Sequence, residues 1–211
     1  MDIFTLGHSA HRIDRFTGLL KDAGVTAVAD VRSSPCSRFA PQYSQDNFKR
    51  SLHQAGLAYS FLGLEFGARS PDPSCYVEGK VQYGRLAKTD AFARGVQRVL
   101  LGLEKHRIAF VCAEKDPMQC HRALLVARAF AGMGKSIAHI HSDGRLESHA
   151  DMERRMLGAW GLSGSSGSIG SSGSFDADLE QAYTLQGNKV AYCNKKMIWC
   201  AADPAVQGGE D

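Results

Sequence analysis

The run Ile108-Ala109-Phe110-Val111-Cys112 contains no polar residue, and this constrains the chain more than any other segment. A strand with one face in water alternates apolar and polar side chains. One without alternation must be covered on both faces, as the strands of parallel sheets are. Similar short runs recur at Ile3–Leu6, Val25–Ala29, Leu57–Leu62 and Ile137–Ile140. Between them lie apolar stripes at helical spacing. Ile13, Phe16, Leu19 and Leu20 run up to Gly24, and Phe48 and Leu52 follow Ser44 as N-cap and end at Gly56. Phe92, Val96, Val99, Leu100 and Leu103 make the clearest helix, another spans about 117–133 and ends at Gly134, and Met152, Met156, Leu157 and Trp160 mark one more. Strand–helix–strand alternation demands right-handed crossovers. The expected fold is therefore a three-layer α/β domain, a mostly parallel sheet of about five strands with helices on both faces.

The 211 residues suit one such domain with an appendage. Residues 1–162 hold the α/β pattern, 163–174 are a Ser/Gly flexible linker, and 175–211 form a tail with a short helix and an edge strand over Lys189–Cys193. A tail that short has no core of its own and is expected to dock on the same domain. Residues 63–88, rich in Gly and Pro, show no period and read as a functional loop or lid. A net charge of +3 excludes a polybasic nucleic-acid coat. No apolar run is long enough to span a membrane, and the start of the chain carries no signal peptide. Six irregularly spaced cysteines do not form a disulfide framework. Together these features point to a cytoplasmic protein.

In open α/β sheets ligands bind beyond the carboxyl ends of the strands. Here those ends read Gly7-His8-Ser9, Asp30-Val31-Arg32 and Cys112-Ala113-Glu114-Lys115-Asp116. Ionisable groups are costly to bury unpaired, so they are expected to face one shared crevice. Asp116-Pro117 is an N-cap and N1 pair, and with Gln119 it approximates a capping box. A helix starting at Pro117 would bring Cys120, His121 and Arg122 into or just past its first turn, where the dipole lowers a thiol's pKa and favours anions. Glu114, Cys120 and His8 are the catalytic candidates. Ser9, Asp30, Arg32, His121 and Arg122 are the candidates for binding substrate or an anion, with Asp30 and Arg32 also readable as a structural ion pair. The C-x7-C-H spacing of Cys112, Cys120 and His121 matches no standard zinc motif, so no metal is assigned. No phosphate-loop or dinucleotide fingerprint occurs, and no cofactor is identified. Lys49, Arg50, Arg69, Lys80 and Arg85, interleaved with Tyr43, Tyr76 and Tyr83, suit stacking and phosphate contact.

The strings Gly7-His8-Ser9, Asp30-Val31-Arg32 and Cys112-Ala113-Glu114-Lys115-Asp116-Pro117-x-x-Cys120-His121-Arg122, with the tail Gln181-Ala182-Tyr183…Gln186-Gly187…Val190-Ala191-Tyr192, resemble the DUF488 family of bacterial proteins. The resemblance implies the α/β fold and no defined reaction. Relatives labelled as DNA-repair proteins imply a link to nucleic acid. The expected function is a hydrolase or transferase acting on a phosphate-bearing substrate such as a nucleotide, modified base or nucleic acid. The alternatives are a non-catalytic module sensing the same ligands and a thiol- or metal-dependent protein.

Overall fold

The computed structural model describes residues 3–36, 39–162 and 172–194. Its centre is a six-stranded sheet, built from β1 (Ile3–Gly7), β2 (Ala27–Asp30), β3 (Ala58–Phe61), β6 (Ile108–Cys112), β7 (Ile137–Ile140) and β8 (Leu146–Ser148). The strand order is β3-β2-β6-β1-β7-β8. The first five are mutually parallel, and β8 runs antiparallel to β7. The sheet thus has one strand more than the sequence pattern suggests. β8 is three residues long, with Glu147 buried between the more exposed Leu146 and Ser148, too short to show a period.

All five residues of β6 are buried, as an apolar run between two parallel neighbours requires. Alternate strand residues supply two separate cores. Phe4, Leu6, Val28 and Val111 pack against Phe16, Leu19 and Leu20 of α1 (Ile13–Asp22) and Phe48 and Leu52 of α2 (Gln45–Gln54). On the other face, Ile3, Ala29, Phe110 and Ile137 meet Phe66 of α3 (Gly63–Phe66), and Phe92, Val96 and Val99 of a longer helix, Asp90–Leu103.

Residues 63–88 do not form a loose lid. They hold α3, a two-stranded hairpin of β4 (Tyr76–Val77) and β5 (Lys80–Val81), and α4 (Tyr83–Leu86), with the long helix following as α5. Phe66, Cys75, Tyr76, Val81 and Leu86 are buried, so apolar burial holds the segment where local periodicity gave no sign of order.

The helix expected over 117–133 is broken. A 3-10 turn at Pro117–Gln119 closes through Cys120 N–H to the Pro117 carbonyl. Cys120 itself is extended (φ −143°, ψ 137°). The chain then re-enters a helix as a π-helical stretch, Arg122–Ala127, continued by α6 (Arg128–Ala131). After α7 (His149–Ala159), the tail forms α8 (Ser172–Val190). This helix runs through Val190, so the edge strand expected at Lys189–Cys193 reduces to a single bridge between Cys193 and Lys80. Residues 163–171 of the Ser/Gly linker lie outside the described residues, and 172–174 are the first turn of α8. Ala182 and Tyr183 of α8 bury against Met152, Met156 and Leu157 of α7, docking the tail.

Gly7 marks where β1 and β6 leave the sheet together: the His8 and Ser9 N–H groups donate to the Cys112 and Ala113 carbonyls at 2.8 and 2.9 Å. A Cβ on Gly7 would lie 1.8 Å from the Glu114 carbonyl oxygen. Gly7→Ala should therefore lower the unfolding free energy by about 2–4 kcal/mol in urea titrations. Gly158→Ala on α7, whose Cβ would meet nothing within 4 Å, should raise it by about 0.5–1 kcal/mol.

Candidate functional site

At the exit of β2, Asp30 and Arg32 form a buried bidentate pair. Arg32 Nε donates to Oδ1 at 2.8 Å and Nη2 to Oδ2 at 2.6 Å. The Arg32 backbone N–H and the Tyr59 hydroxyl add two more donors to the carboxylate, at 3.2 and 3.0 Å. The other arm of the guanidinium, Nη1, donates to the Tyr43 carbonyl at 2.8 Å and reaches His8 Nε2 at 3.3 Å. Burial opposes the Arg32 charge, but the hydrogen bonds and charge of Asp30 outweigh it and raise the pKa further. His8 stacks on Tyr43 at 4.1 Å between ring centroids. Its Nδ1–H donates to the Ser9 carbonyl at 2.9 Å, which leaves Nε2 to accept from Arg32. Burial, before any other cause, pushes the pKa of His8 down to about 4. Ser9 completes the turn with a left-handed backbone (φ 46°).

The break at Cys120 determines the chemistry. In a continuous helix, neighbouring side chains diverge by about 100°, which would separate Cys120 from His121. The extended Cys120 instead brings its Sγ to 3.9 Å from His121 Nδ1, and Cys112 Sγ approaches the same nitrogen at 3.7 Å. Cys120 also acts as the N-cap of the following helix. Its carbonyl accepts from Ala123 and Leu124, and its sulfur accepts the Arg122 N–H at 3.5 Å. His121 Nε2–H donates to the Val31 carbonyl at 2.9 Å, turning Nδ1 toward the sulfurs. Burial raises the Cys120 pKa, but the Cys112 hydrogen bond, the Arg122 charge and His121 together hold it well below the ordinary thiol value. Cys112 moves well up, through its hydrogen bond to Cys120 and then burial. Burial would lower His121, but the bond to Cys120 and its charge raise it.

Arg122 is fully buried. Its guanidinium donates to the Glu114 carbonyl at 2.6 Å and the Lys115 carbonyl at 3.1 Å, so it braces the loop that leaves β6. Two further anchors hold that loop. Arg155 on α7 grips both Asp116 carboxylate oxygens at 3.0 Å while also binding Glu147. Gln186 on α8 donates to the Met118 carbonyl at 2.7 Å.

A cavity of about 280 Å³ opens above this floor. Of the residues named from the sequence, Arg32, Glu114, Cys120 and His121 line it, together with Cys112. Asp30, His8, Ser9 and Arg122 do not. Asp30 and His8 stand behind Arg32, and Arg122 lies under the loop. Glu114 is exposed at the rim. Arg69, named in the sequence only as one charge in an irregular segment, lines the cavity with its guanidinium over the Tyr192 ring at 4.8 Å. Tyr83, named in the sequence as one of the interleaved aromatics, also lines it, as do Gln119 and Val190, which carried no sequence signal as site residues. Tyr43 and Tyr76 are buried in the cores and do not line the cavity.

Residues 12–129 match the family model described as domain of unknown function DUF488. The chain belongs to the DUF488 family. The matched span includes Asp30, Arg32 and the whole Cys112–Arg122 loop, and stops short of Gly7–Ser9 and the tail. No curated protein and no solved structure matches the chain.

A second buried chain links Thr5, His139, His149, Tyr183 and Glu153 through contacts of 2.8, 3.0, 2.9 and 2.7 Å. Burial, ahead of the Arg128 charge, lowers the His149 pKa to about 4, and His8 falls as far. Above pH 6.5 both imidazoles are neutral whether the chain is folded or unfolded. Between 6.5 and about 4, only the unfolded chain takes up these protons, so stability must fall as pH falls through that window. Each histidine contributes a loss of about 3 kcal/mol across it. Urea midpoints measured along this range should drop steadily, and His149→Gln should flatten the slope.

Proposed function

We propose that this protein is an enzyme acting on a phosphate-bearing substrate, a hydrolase or transferase for a nucleotide or a nucleic-acid end. One observation carries the reading: Arg32 and Arg69 line a single cavity together with Cys112, Cys120 and His121. Guanidinium pairs recognise phosphate oxygens by bidentate hydrogen bonding, and thiol–imidazole pairs are reaction centres. The two arginines contribute differently. Arg32 has its Asp30 partner and offers a rigid donor. Arg69, with no carboxylate partner among the described residues, supplies the uncompensated charge. Glu114 at the rim is placed to exchange a proton with a leaving or entering group. Cys120 meets the reacting centre, and His8 acts as a positioning residue through Arg32.

The volume narrows the substrate. Ligand pockets commonly hold roughly 300–1,000 Å³, so about 280 Å³ accepts a phosphate and a small attached group. It does not accept a length of strand. That favours a phosphomonoester, a nucleotide or a terminal residue.

The test is a turnover screen of the full chain against phosphomonoesters, nucleoside phosphates and 5′-phosphorylated oligonucleotides. Glu114→Gln and Cys120→Ser should each reduce kcat by about 100-fold or more, and Glu114→Gln should leave substrate binding within a few-fold. Arg69→Ala should raise KM by about tenfold, the loss of roughly one charge-assisted contact. A wild-type protein that binds these ligands and turns over none of them would replace the enzyme with the sensing module.

A further inference from the structure

The spacing of the three soft donors on the cavity floor has a geometric meaning beyond their reactivity. Cys112 Sγ and Cys120 Sγ lie 3.7 and 3.9 Å from His121 Nδ1, and all three ligand atoms fall within 4.8 Å of one another. In a tetrahedral zinc site, Zn–S is about 2.3 Å and Zn–N about 2.1 Å, which sets ligand–ligand edges of roughly 3.6 Å for S···N and 3.8 Å for S···S. The two S···N distances here, 3.7 and 3.9 Å, come within about 0.3 Å of the edges of such a tetrahedron.

The surroundings agree with the geometry. Metal-bound imidazoles donate their remote N–H to a carbonyl or carboxylate, and His121 Nε2–H is held by the Val31 carbonyl at 2.9 Å. Thiolates on a metal are stabilised by backbone N–H groups, and the Cys120 sulfur accepts the Arg122 N–H at 3.5 Å. The donor set of two sulfurs and one imidazole selects a borderline-soft divalent cation over magnesium or calcium.

We propose that Cys112, Cys120 and His121 hold a zinc-type divalent cation whose fourth coordination position opens into the cavity beside Arg32 and Arg69. Binding replaces the two thiol protons, which leave to solvent, and uses the Nδ1 lone pair of His121. Three protein ligands and an open fourth position are the pattern of catalytic rather than structural zinc. All three ligands line the cavity, so the open position faces the arginines, where a water or an anionic oxygen of the substrate would bind. Only the role of that fourth position rests on the enzymatic reading above. The ligand set stands on its own distances.

The experiment uses the full chain, kept reduced, stripped with a chelator and titrated with Zn²⁺ and with Co²⁺. The expected result is one equivalent of either metal, with thiolate-to-cobalt charge-transfer bands and the intense visible bands of tetrahedral cobalt. Cys112→Ser and Cys120→Ser should each lose the charge-transfer bands or the bound equivalent, while Cys36→Ser, at an exposed thiol, keeps both. Should either variant fail to fold, the wild-type cobalt spectrum still decides whether sulfur is coordinated. No stoichiometric binding, or cobalt binding without thiolate bands, overturns the metal site. Turnover by the metal-free wild type overturns the role given to the open position while sparing the enzyme reading. A loaded, thiolate-coordinated metal with no turnover of any phosphate substrate does the reverse.

Discussion

The Asp30–Arg32 pair is the interaction on which the site depends. A buried ion pair is worth little in net stability, but removing one partner costs about 3–5 kcal/mol because the other is left charged and dry. Here the pair does more than neutralise itself. By closing a two-residue bidentate clamp, it sets the direction in which the chain leaves β2. That direction delivers the Val31 carbonyl to His121 and the Arg32 guanidinium to the Tyr43 carbonyl and His8. One carboxylate thus fixes the Arg32 guanidinium and, through the residue between the pair, the orientation of the imidazole on the cavity floor.

The second constraint is the loop from Glu114 to His121, which has little regular structure of its own. It is held from outside by cations and one amide: Arg122 from beneath, Arg155 from α7 and Gln186 from α8. Ordering a backbone costs conformational entropy in any conformation; a helix offsets it with its own hydrogen bonds, and this loop, which has few, depends on donors from outside. The consequence is the extended Cys120, which aims two successive side chains at one another. A regular helix from Pro117 could not have joined Cys120, His121 and Cys112 around a single nitrogen.

Much of the architecture is legible in the sequence because parallel strands buried on both faces leave an apolar signature that few other elements share. β1, β2, β6 and β7 are readable this way, β3 is readable from its largely apolar run although it lies half-exposed at the sheet edge, and α1, α2, α5 and α7 are readable from their stripes. β8 and the elements of 63–88 are not, since pieces of two to four residues have no measurable period and exist through the surfaces they cover. The site is legible to a comparable depth. Strand-end logic, with the helix start expected at Pro117, identifies Arg32, Glu114, Cys120 and His121, which line the cavity, and it also selects His8, Asp30 and Arg122, which serve them from behind. It cannot separate the two groups, because an ionisable residue at a strand end looks the same whether it faces a ligand or a carbonyl. Arg69 and Tyr192 escape it altogether. They reach the cavity from segments distant in the chain.

What the sequence determined by itself is the sheet and the clustering of polar chemistry at its carboxyl edge. Both follow from local rules: apolar burial on two faces, and the cost of isolated charge in a core. What only the tertiary structure decided is the role of each polar group. The distance between two sulfurs and an imidazole, and the choice of partner for each arginine, depend on where separate strands and the tail helix place their backbones. C-x7-C-H is therefore an unremarkable spacing along the chain, and becomes a three-donor floor once β6, the exit of β2 and the broken helix are packed together.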